Sequence, residues 1–159
     1  LWAREGKFDL INNVVEYAKS KGMISGVAGH ELETFHGMET HGIDADFYMK
    51  TLHDTSYWSW RVNEPKEKMI NDNYAIDNYW ARKPLETIQF MQSLNKPWIA
   101  FKVLAAGAFH PRDGFRFVFE NGADFACVGM FDFQVVEDAN ILTEILDDKQ
   151  FHRPRHWMA

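Results

Sequence analysis

The fold class of this chain is decided by KPWIAFKVLAAG (residues 96–107) and FACVGM (residues 125–130), two apolar runs that each reach a glycine. A helical segment separates them. Such a pair is typical of a parallel βαβ unit whose strands are buried on both faces. In these folds ligands bind at the carboxyl ends of the strands. The pair therefore predicts where an active site lies, but it does not name a substrate.

The rest of the chain repeats this alternation of strand and helix. Apolar residues at helical spacing predict helices, and short apolar runs bounded by turn residues predict strands. The predicted strands cover residues 23–29, 46–52, 98–106 and 125–130. The predicted helices cover residues 8–21, 31–41, a segment that begins at Pro84, 113–121 and 135–146.

Four strands in strict alternation with helices predict an α/β fold built of parallel (βα) repeats. A complete TIM barrel needs about 250 residues, and the chain has 159. We therefore interpret residues 1–159 as a single α/β domain that forms the C-terminal half of a TIM barrel; the alternative is a small doubly wound α/β domain. The first residue is not Met, so we expect residues upstream. A half-barrel exposes strand edges, which predicts self-association or a missing half-barrel as partner.

Composition narrows the range of partners. The formal net charge is −6, and no basic cluster is interleaved with aromatic residues, which argues against nucleic acid and against an anionic membrane surface. No apolar run approaches the ~20 residues that cross a bilayer.

The single cysteine, Cys127, is predicted to be a small buried residue in a strand. One cysteine cannot form a disulfide within the chain, which favours a reducing compartment, and we expect a cytoplasmic location.

Two segments depart from the repeat. Residues 54–82 form an aromatic-rich insertion, far longer than the usual connection. Its Tyr57, Trp58 and Trp60 are predicted either to bind a sugar-like substrate as part of a lid or to pack against a partner. Residues 150–159 form a polar tail that is rich in Arg and His.

Two histidines follow predicted strands, His30 after the first and His53 after the second. In a parallel sheet they lie at the same edge, where imidazole is suited to proton transfer or to metal binding. We expect no cofactor. The alternative is a divalent metal held by His30, His53 and Glu31. Glu33 and His36 have a weak metal-binding spacing, but His36 and His41 are expected to face solvent.

Two lysines, Lys50 and Lys102, interrupt otherwise apolar predicted strands. A desolvated lysine has a lowered pKa, which is suited to imine formation or base catalysis. Alternatively, each ammonium group pairs with a carboxylate such as Asp46 or Asp124. The alternation of side chains does not decide which face of the sheet either lysine occupies.

Three segments together carry a family resemblance: ADFYMKT (residues 45–51), FKVLAAG (residues 101–107) and GADFACVG (residues 122–129). They resemble the last three strands of class I aldolase barrels of the deoxyribose-phosphate aldolase type. The resemblance implies a TIM barrel in which Lys50 forms a Schiff base and Lys102 tunes its reactivity.

The last two strand ends also predict a substrate-binding region. Gly107 and Gly129 would let backbone amides approach an anion such as phosphate, and His110 and Arg112 could add positive charge. Asp132, directly after the last strand, would oppose phosphate or serve as a helix cap.

Three functions remain open on this reading. The first is a lyase or aldolase that acts on a small carbonyl or sugar-like substrate, with Lys102 or Lys50 as the amine and His53 or His30 moving protons. The second is a divalent-metal-dependent isomerase or lyase that uses the strand-end histidines. The third is a non-catalytic assembly module.

Overall fold

The computed structural model describes residues 2–57 and 81–158. In these residues strands and helices alternate, as the sequence predicts. The helices are α1 (Phe8–Ser20), α2 (Leu32–Thr40), α3 (Pro84–Ser93), α4 (Pro111–Glu120) and α5 (Val135–Asp147). The strands are β1 (Gly26–Gly29), β2 (Phe47–Thr51), β3 (Trp98–Phe101) and β4 (Phe125–Cys127), and short 3₁₀ turns cover Ala3–Glu5, Ala105–Gly107 and Asp132–Gln134.

The strands form one four-stranded sheet in the order β1-β2-β3-β4, and each neighbouring pair is parallel. The prediction of an α/β fold with parallel (βα) repeats is therefore confirmed. A doubly wound sheet reverses its strand order at a switch point. Among the described strands the order does not reverse, which argues against the doubly wound alternative.

The two faces of the sheet differ in what covers them. Paired residues on neighbouring parallel strands point to the same face. Tyr48 pairs with Trp98, and Ala100 pairs with Ala126 on the same side. Tyr48, Trp98 and Ala100 are fully buried in a core that also contains side chains of all five described helices. The helices therefore lie on one face, as right-handed connections between sequential parallel strands require.

The opposite face, here called the open face, carries a row of mostly apolar side chains that belong to no part of the described core. Phe125 is 46% exposed, Ala28 and Cys127 are exposed, and the others are half-buried. The row consists of Ala28, Phe47, Met49, Ile99, Phe101, Phe125 and Cys127.

The structure corrects two predicted strand ends. The third strand stops at Phe101 and not at Ala106, because Lys102 adopts a left-handed backbone conformation with φ 57°. The fourth strand stops at Cys127 and not at residue 130. Cys127, predicted to be buried, is exposed because its side chain lies on the open face.

No helix in the described ranges 2–57 and 81–158 is both long and apolar enough to span a membrane.

The polar tail contributes a buried ion cluster at the amino edge of the sheet. Asp124 precedes β4, and its carboxylate accepts hydrogen bonds from the backbone amides of Trp98 and Met158, both at 3.0 Å. Arg153 lies 3.1 Å and Arg155 3.5 Å from the same carboxylate, and the three side chains are at most 8% exposed. The tail therefore ties together the beginnings of β3 and β4.

We predict that Asp124→Asn lowers the free energy of unfolding by about 3–5 kcal/mol, because it leaves two buried guanidinium groups without a carboxylate. Urea denaturation measures this change. Arg112→Ala, which removes an exposed ion pair with Glu144, is the control and should cost less than about 1 kcal/mol. Equal effects of the two substitutions would contradict the assignment of the cluster as a structural anchor.

Candidate functional site at the carboxyl edge of the sheet

Four basic side chains gather where the strands end. His30 directly follows β1, Lys50 lies near the end of β2, His53 follows β2 by two residues, and Lys102 directly follows β3. Burial is the main cause that lowers the pKa of both histidines, and the positive charges of Lys50 and Lys102 add to it, which places each histidine within electrostatic reach of both lysines. The prediction that His30 and His53 share one edge is confirmed by the parallel order of the strands.

Lys50 is buried. Its side chain is 1% exposed and lies on the helix-covered face, on the same side as Tyr48. Its Nζ donates a hydrogen bond to the carbonyl oxygen of Thr51 at 2.8 Å. Burial lowers the pKa of Lys50 to about 8, although the charges of Glu31 and Glu33 partly oppose this shift. A substantial fraction of the amine is therefore neutral near physiological pH.

The surroundings of Lys50 form a cleft of about 460 Å³ between the beginnings of α2 and α3. We call it the lysine cleft; its wall includes His30, Glu31, Glu33, Lys50 and Glu86.

The suggested partner Asp46 does not pair with Lys50. It instead lies 3.2 Å from Lys19 and accepts a hydrogen bond from the backbone amide of Ser25.

His30 is held against the end of β2. Its Nδ1 lies 2.6 Å from the hydroxyl oxygen of Thr51, and its ring centroid lies 5.2 Å from that of Phe101. Burial, and then the charges of Lys102 and Lys50, lower the pKa of His30 to about 4. The imidazole is therefore neutral at pH 7 and can accept a proton.

His53 is fully buried. Its Nδ1 lies 2.7 Å from the carbonyl oxygen of Asp54, which can only accept, so we assign the ring proton to Nδ1. Among the described residues, the buried Nε2 has no hydrogen-bond partner. Burial is the main cause that lowers the pKa of His53 to about 4. Nε2 is thus an unprotonated acceptor, which is suited to general-base catalysis.

The position of Lys102 and the exposure of its side chain differ from the prediction. Lys102 was expected inside a strand, but it follows the end of β3 and its side chain is exposed, so the argument from desolvation does not apply to it. Its suggested partner, Asp124, pairs with Arg153 and Arg155. Lys102 begins a turn in which Ala105 and Ala106 also have left-handed conformations, with φ 46° and 53°. Such conformations are unfavourable for residues with a Cβ atom and often occur at functional sites.

This turn borders a pocket of about 680 Å³ beyond the ends of β3 and β4. We call it the turn pocket; its wall includes Lys102, Ala106, Gly107, Cys127, Gly129, Phe131 and Asp138. Gly107 and Gly129, predicted to bind substrate, therefore lie in the same pocket.

The structure does not bring His110 and Arg112 to the turn pocket. The Nδ1 of His110 accepts a hydrogen bond from the backbone amide of Arg112 at 3.2 Å, which caps α4. The guanidinium of Arg112 pairs with Glu144 in a separate depression, which His110 also lines.

Tyr57 lies beside His53, with ring centroids 5.6 Å apart. Trp58 and Trp60, predicted to bind substrate, lie outside the described residues, as does most of the aromatic-rich insertion. Glu31 lies 3.1 Å from Arg4. Within residues 2–57 and 81–158, no group of three or more His, Cys, Asp or Glu side chains is arranged to hold a metal ion. A divalent metal at His30, His53 and Glu31 stays a prediction.

Two residues of this edge were not predicted from the sequence. Thr51 contacts His30, and Asp138 is a buried carboxylate in the turn pocket. The spacing of Asp138 could have revealed it, since Ile141 and Ile145 follow at three and seven residues and are also buried.

Comparisons with protein-family models, with curated proteins and with solved structures found no match for this chain.

We predict that Ala106→Gly raises the free energy of unfolding by about 1 kcal/mol, because glycine adopts φ 53° without a Cβ clash. Chemical denaturation measures the change. The control is Ala139→Gly within α5, which should lower stability by about 1 kcal/mol. Loss of stability in both variants would contradict the interpretation that the turn at Ala106 is strained.

The histidines predict a pH dependence of stability. The pKa of His53 is about 4 in the folded protein, whereas its ordinary value, which applies to the unfolded chain, is 6.5. Between pH 4 and pH 6.5 the unfolded chain therefore binds more protons than the folded protein. Stability should therefore fall as the pH drops from 6.5 to 4. We predict that His53→Asn, which can keep the hydrogen bond to Asp54, reduces this fall by about 2 kcal/mol.

Urea denaturation at pH 7 and pH 4 measures the effect of His53→Asn. His152→Asn, at an exposed position, is the control and should leave the fall unchanged. An equal fall in the wild type and His53→Asn would show that His53 is not held neutral by burial.

Proposed function

We propose that the protein is an enzyme of the lyase or aldolase type, which acts on a small carbonyl or sugar-like compound through an imine on Lys50. The observation that carries the proposal is a 1% exposed lysine of lowered pKa in a cleft that also contains His30. An amine must lose its proton before it attacks a carbonyl carbon, and burial favours that neutral form.

The proposed reaction begins when the neutral Nζ of Lys50 attacks the carbonyl carbon. A C–N bond forms, and the carbonyl oxygen takes up one proton from the amine and one from solvent and leaves as water, so that a protonated imine results. The imine then accepts the electron pair of the bond between the α and β carbons as that bond breaks, which leaves an enamine. Protonation of the enamine carbon and hydrolysis by water then release the second product and the free amine. The proton lost from the substrate hydroxyl goes to a neutral imidazole, for which His30 is suited because it lines the lysine cleft.

We further propose that the described sheet is the C-terminal half of a TIM barrel. Three features support this: sequential parallel strands, helices on one face, and an apolar open face that would line the interior of a barrel. A groove of about 770 Å³ along the outer side of β1, with the exposed Trp2 and Val14 in its wall, also supports the proposal, because a further strand could pair with β1 there.

In a complete barrel Lys50 would act from the lysine cleft and not from the centre, because its side chain lies on the helix-covered face. Lys102 lies at the mouth of the open face, in the turn pocket. The family resemblance makes Lys50 the imine lysine and Lys102 its helper. The burial of Lys50 supports the first role, whereas the place of Lys102 in the turn pocket, and not in the lysine cleft, does not support the second.

A non-catalytic assembly module is the second candidate. The partly exposed apolar row on the open face favours it, because a surface of this kind is typical of an interface. Such a module would not require a reactive amine, so a test for imine formation separates the two candidates.

We predict that acetaldehyde, glyceraldehyde or pyruvate with sodium cyanoborohydride labels Lys50 at pH 7 at least about tenfold faster than exposed lysines, because its neutral fraction is larger by roughly a hundredfold. Intact mass and peptide mapping measure the labelling. Lys50→Met should remove this adduct, whereas the control Lys149→Met, at an exposed lysine outside the lysine cleft, should keep it.

Labelling spread evenly over exposed lysines would contradict an imine enzyme and favour the assembly module. Preferential labelling of Lys102 would contradict the assignment of the amine to Lys50.

A further inference from the structure

Asp138 is a buried carboxylate that the proposed chemistry does not use. It lies in the first turns of α5, is 4% exposed and forms part of the wall of the turn pocket. Among the described residues, its buried Oδ2 has no hydrogen-bond partner. A carboxylate removed from water is unfavourable unless hydrogen-bond donors surround it. Because Asp138 also lines the turn pocket, rotation of its carboxylate would bring this oxygen to donors that a ligand supplies there.

The wall of the turn pocket restricts what that ligand can be. The charge of Asp138 repels phosphate and other anions, which opposes the phosphate expected at Gly107 and Gly129. Lys102 lies on the same wall, so a cationic ligand would meet a positive charge. A carboxylate and a lysine in one pocket favour a neutral ligand that both donates and accepts hydrogen bonds.

The remaining wall is suited to a sugar. Phe101 and Phe131 lie in it, and apolar walls with a few polar groups are typical of small-molecule sites. The adjoining turn holds Lys102, Ala105 and Ala106 in left-handed conformations. The backbone here is thus held in an unfavourable shape beside the buried carboxylate, as functional sites often are.

We propose that the turn pocket binds the hydroxyl-bearing end of a neutral sugar-like ligand, with the carboxylate of Asp138 accepting hydrogen bonds from its hydroxyl groups. This site is separate from the lysine cleft, so binding of the ligand does not require turnover at Lys50.

The test compares binding of D-ribose and D-xylose with that of D-ribose 5-phosphate and inorganic phosphate, by saturation-transfer NMR and calorimetry. The wild type should bind a neutral sugar, and Asp138→Asn and Asp138→Ala should weaken that binding roughly tenfold or more. Glu137→Ala, at the neighbouring exposed position outside the pocket, should bind like the wild type.

Thermal unfolding of the same variants separates a binding role from a structural one. Without ligand, Asp138→Ala should unfold at the same or a higher temperature than the wild type, because it removes a buried carboxylate whose Oδ2 has no partner in the described part of the chain. A large decrease in unfolding temperature would overturn the proposal. So would tighter binding of phosphate or of the phosphorylated sugar, unchanged sugar binding in Asp138→Ala, or no binding of either sugar.

The result of the sugar-binding test does not depend on imine formation at Lys50. Lys50→Met should lose the reductive adduct and keep sugar binding, because Lys50 lies in the lysine cleft and not in the turn pocket. Sugar binding that depends on Asp138 would therefore support this site even if Lys50 forms no imine.

Discussion

The parallel pairing of four strands in chain order is the constraint on which the rest of the structure depends. Each connection must return across the sheet with the same hand, so the described helices cover one face and leave the other open. The same pairing brings all four carboxyl ends to one edge. Residues that are far apart in sequence, such as His30 and Lys102, meet there for this reason alone.

The two edges of the sheet have different electrostatics. At the amino edge, Asp124 compensates the charges of Arg153 and Arg155, and the cluster holds the chain tail against the strands. At the carboxyl edge, Lys50 and His53 are buried and His30 is half-buried; burial is the main cause that lowers the pKa of each, and nearby carboxylates oppose the shift only in part. Charge pairs at the amino edge therefore coexist at the carboxyl edge with burial that disfavours the charged forms of these side chains.

Much of the fold could be predicted from the sequence, because apolar runs and helical spacing report directly on burial. The strand order follows from that pattern and the handedness of the connections. The burial of Lys50 was also predictable, since a lysine in the middle of an apolar strand cannot easily reach solvent. His30 and His53 could be placed at one edge because each directly follows such a strand.

Other features depend on tertiary contacts that no local pattern reports. The turn at Lys102 continues an apolar run, so nothing in the sequence marks where the left-handed backbone ends β3. The tail reads as solvated, yet Arg153 and Arg155 are buried because Asp124 lies opposite them. The spacing of Asp138 places it on one helical face with Ile141 and Ile145, but the packing of α5 is what shows that its carboxylate is enclosed.

The central claim is that burial keeps a reactive amine at Lys50, and the pKa of its ammonium group tests this most directly. NMR titration of protein labelled with ¹³C at lysine Cε, with Lys50 assigned by its absence in Lys50→Met, measures that pKa. The account predicts a midpoint of about 8. A midpoint at the ordinary lysine value of 10.5 would contradict it, because the amine would then be almost fully protonated at neutral pH.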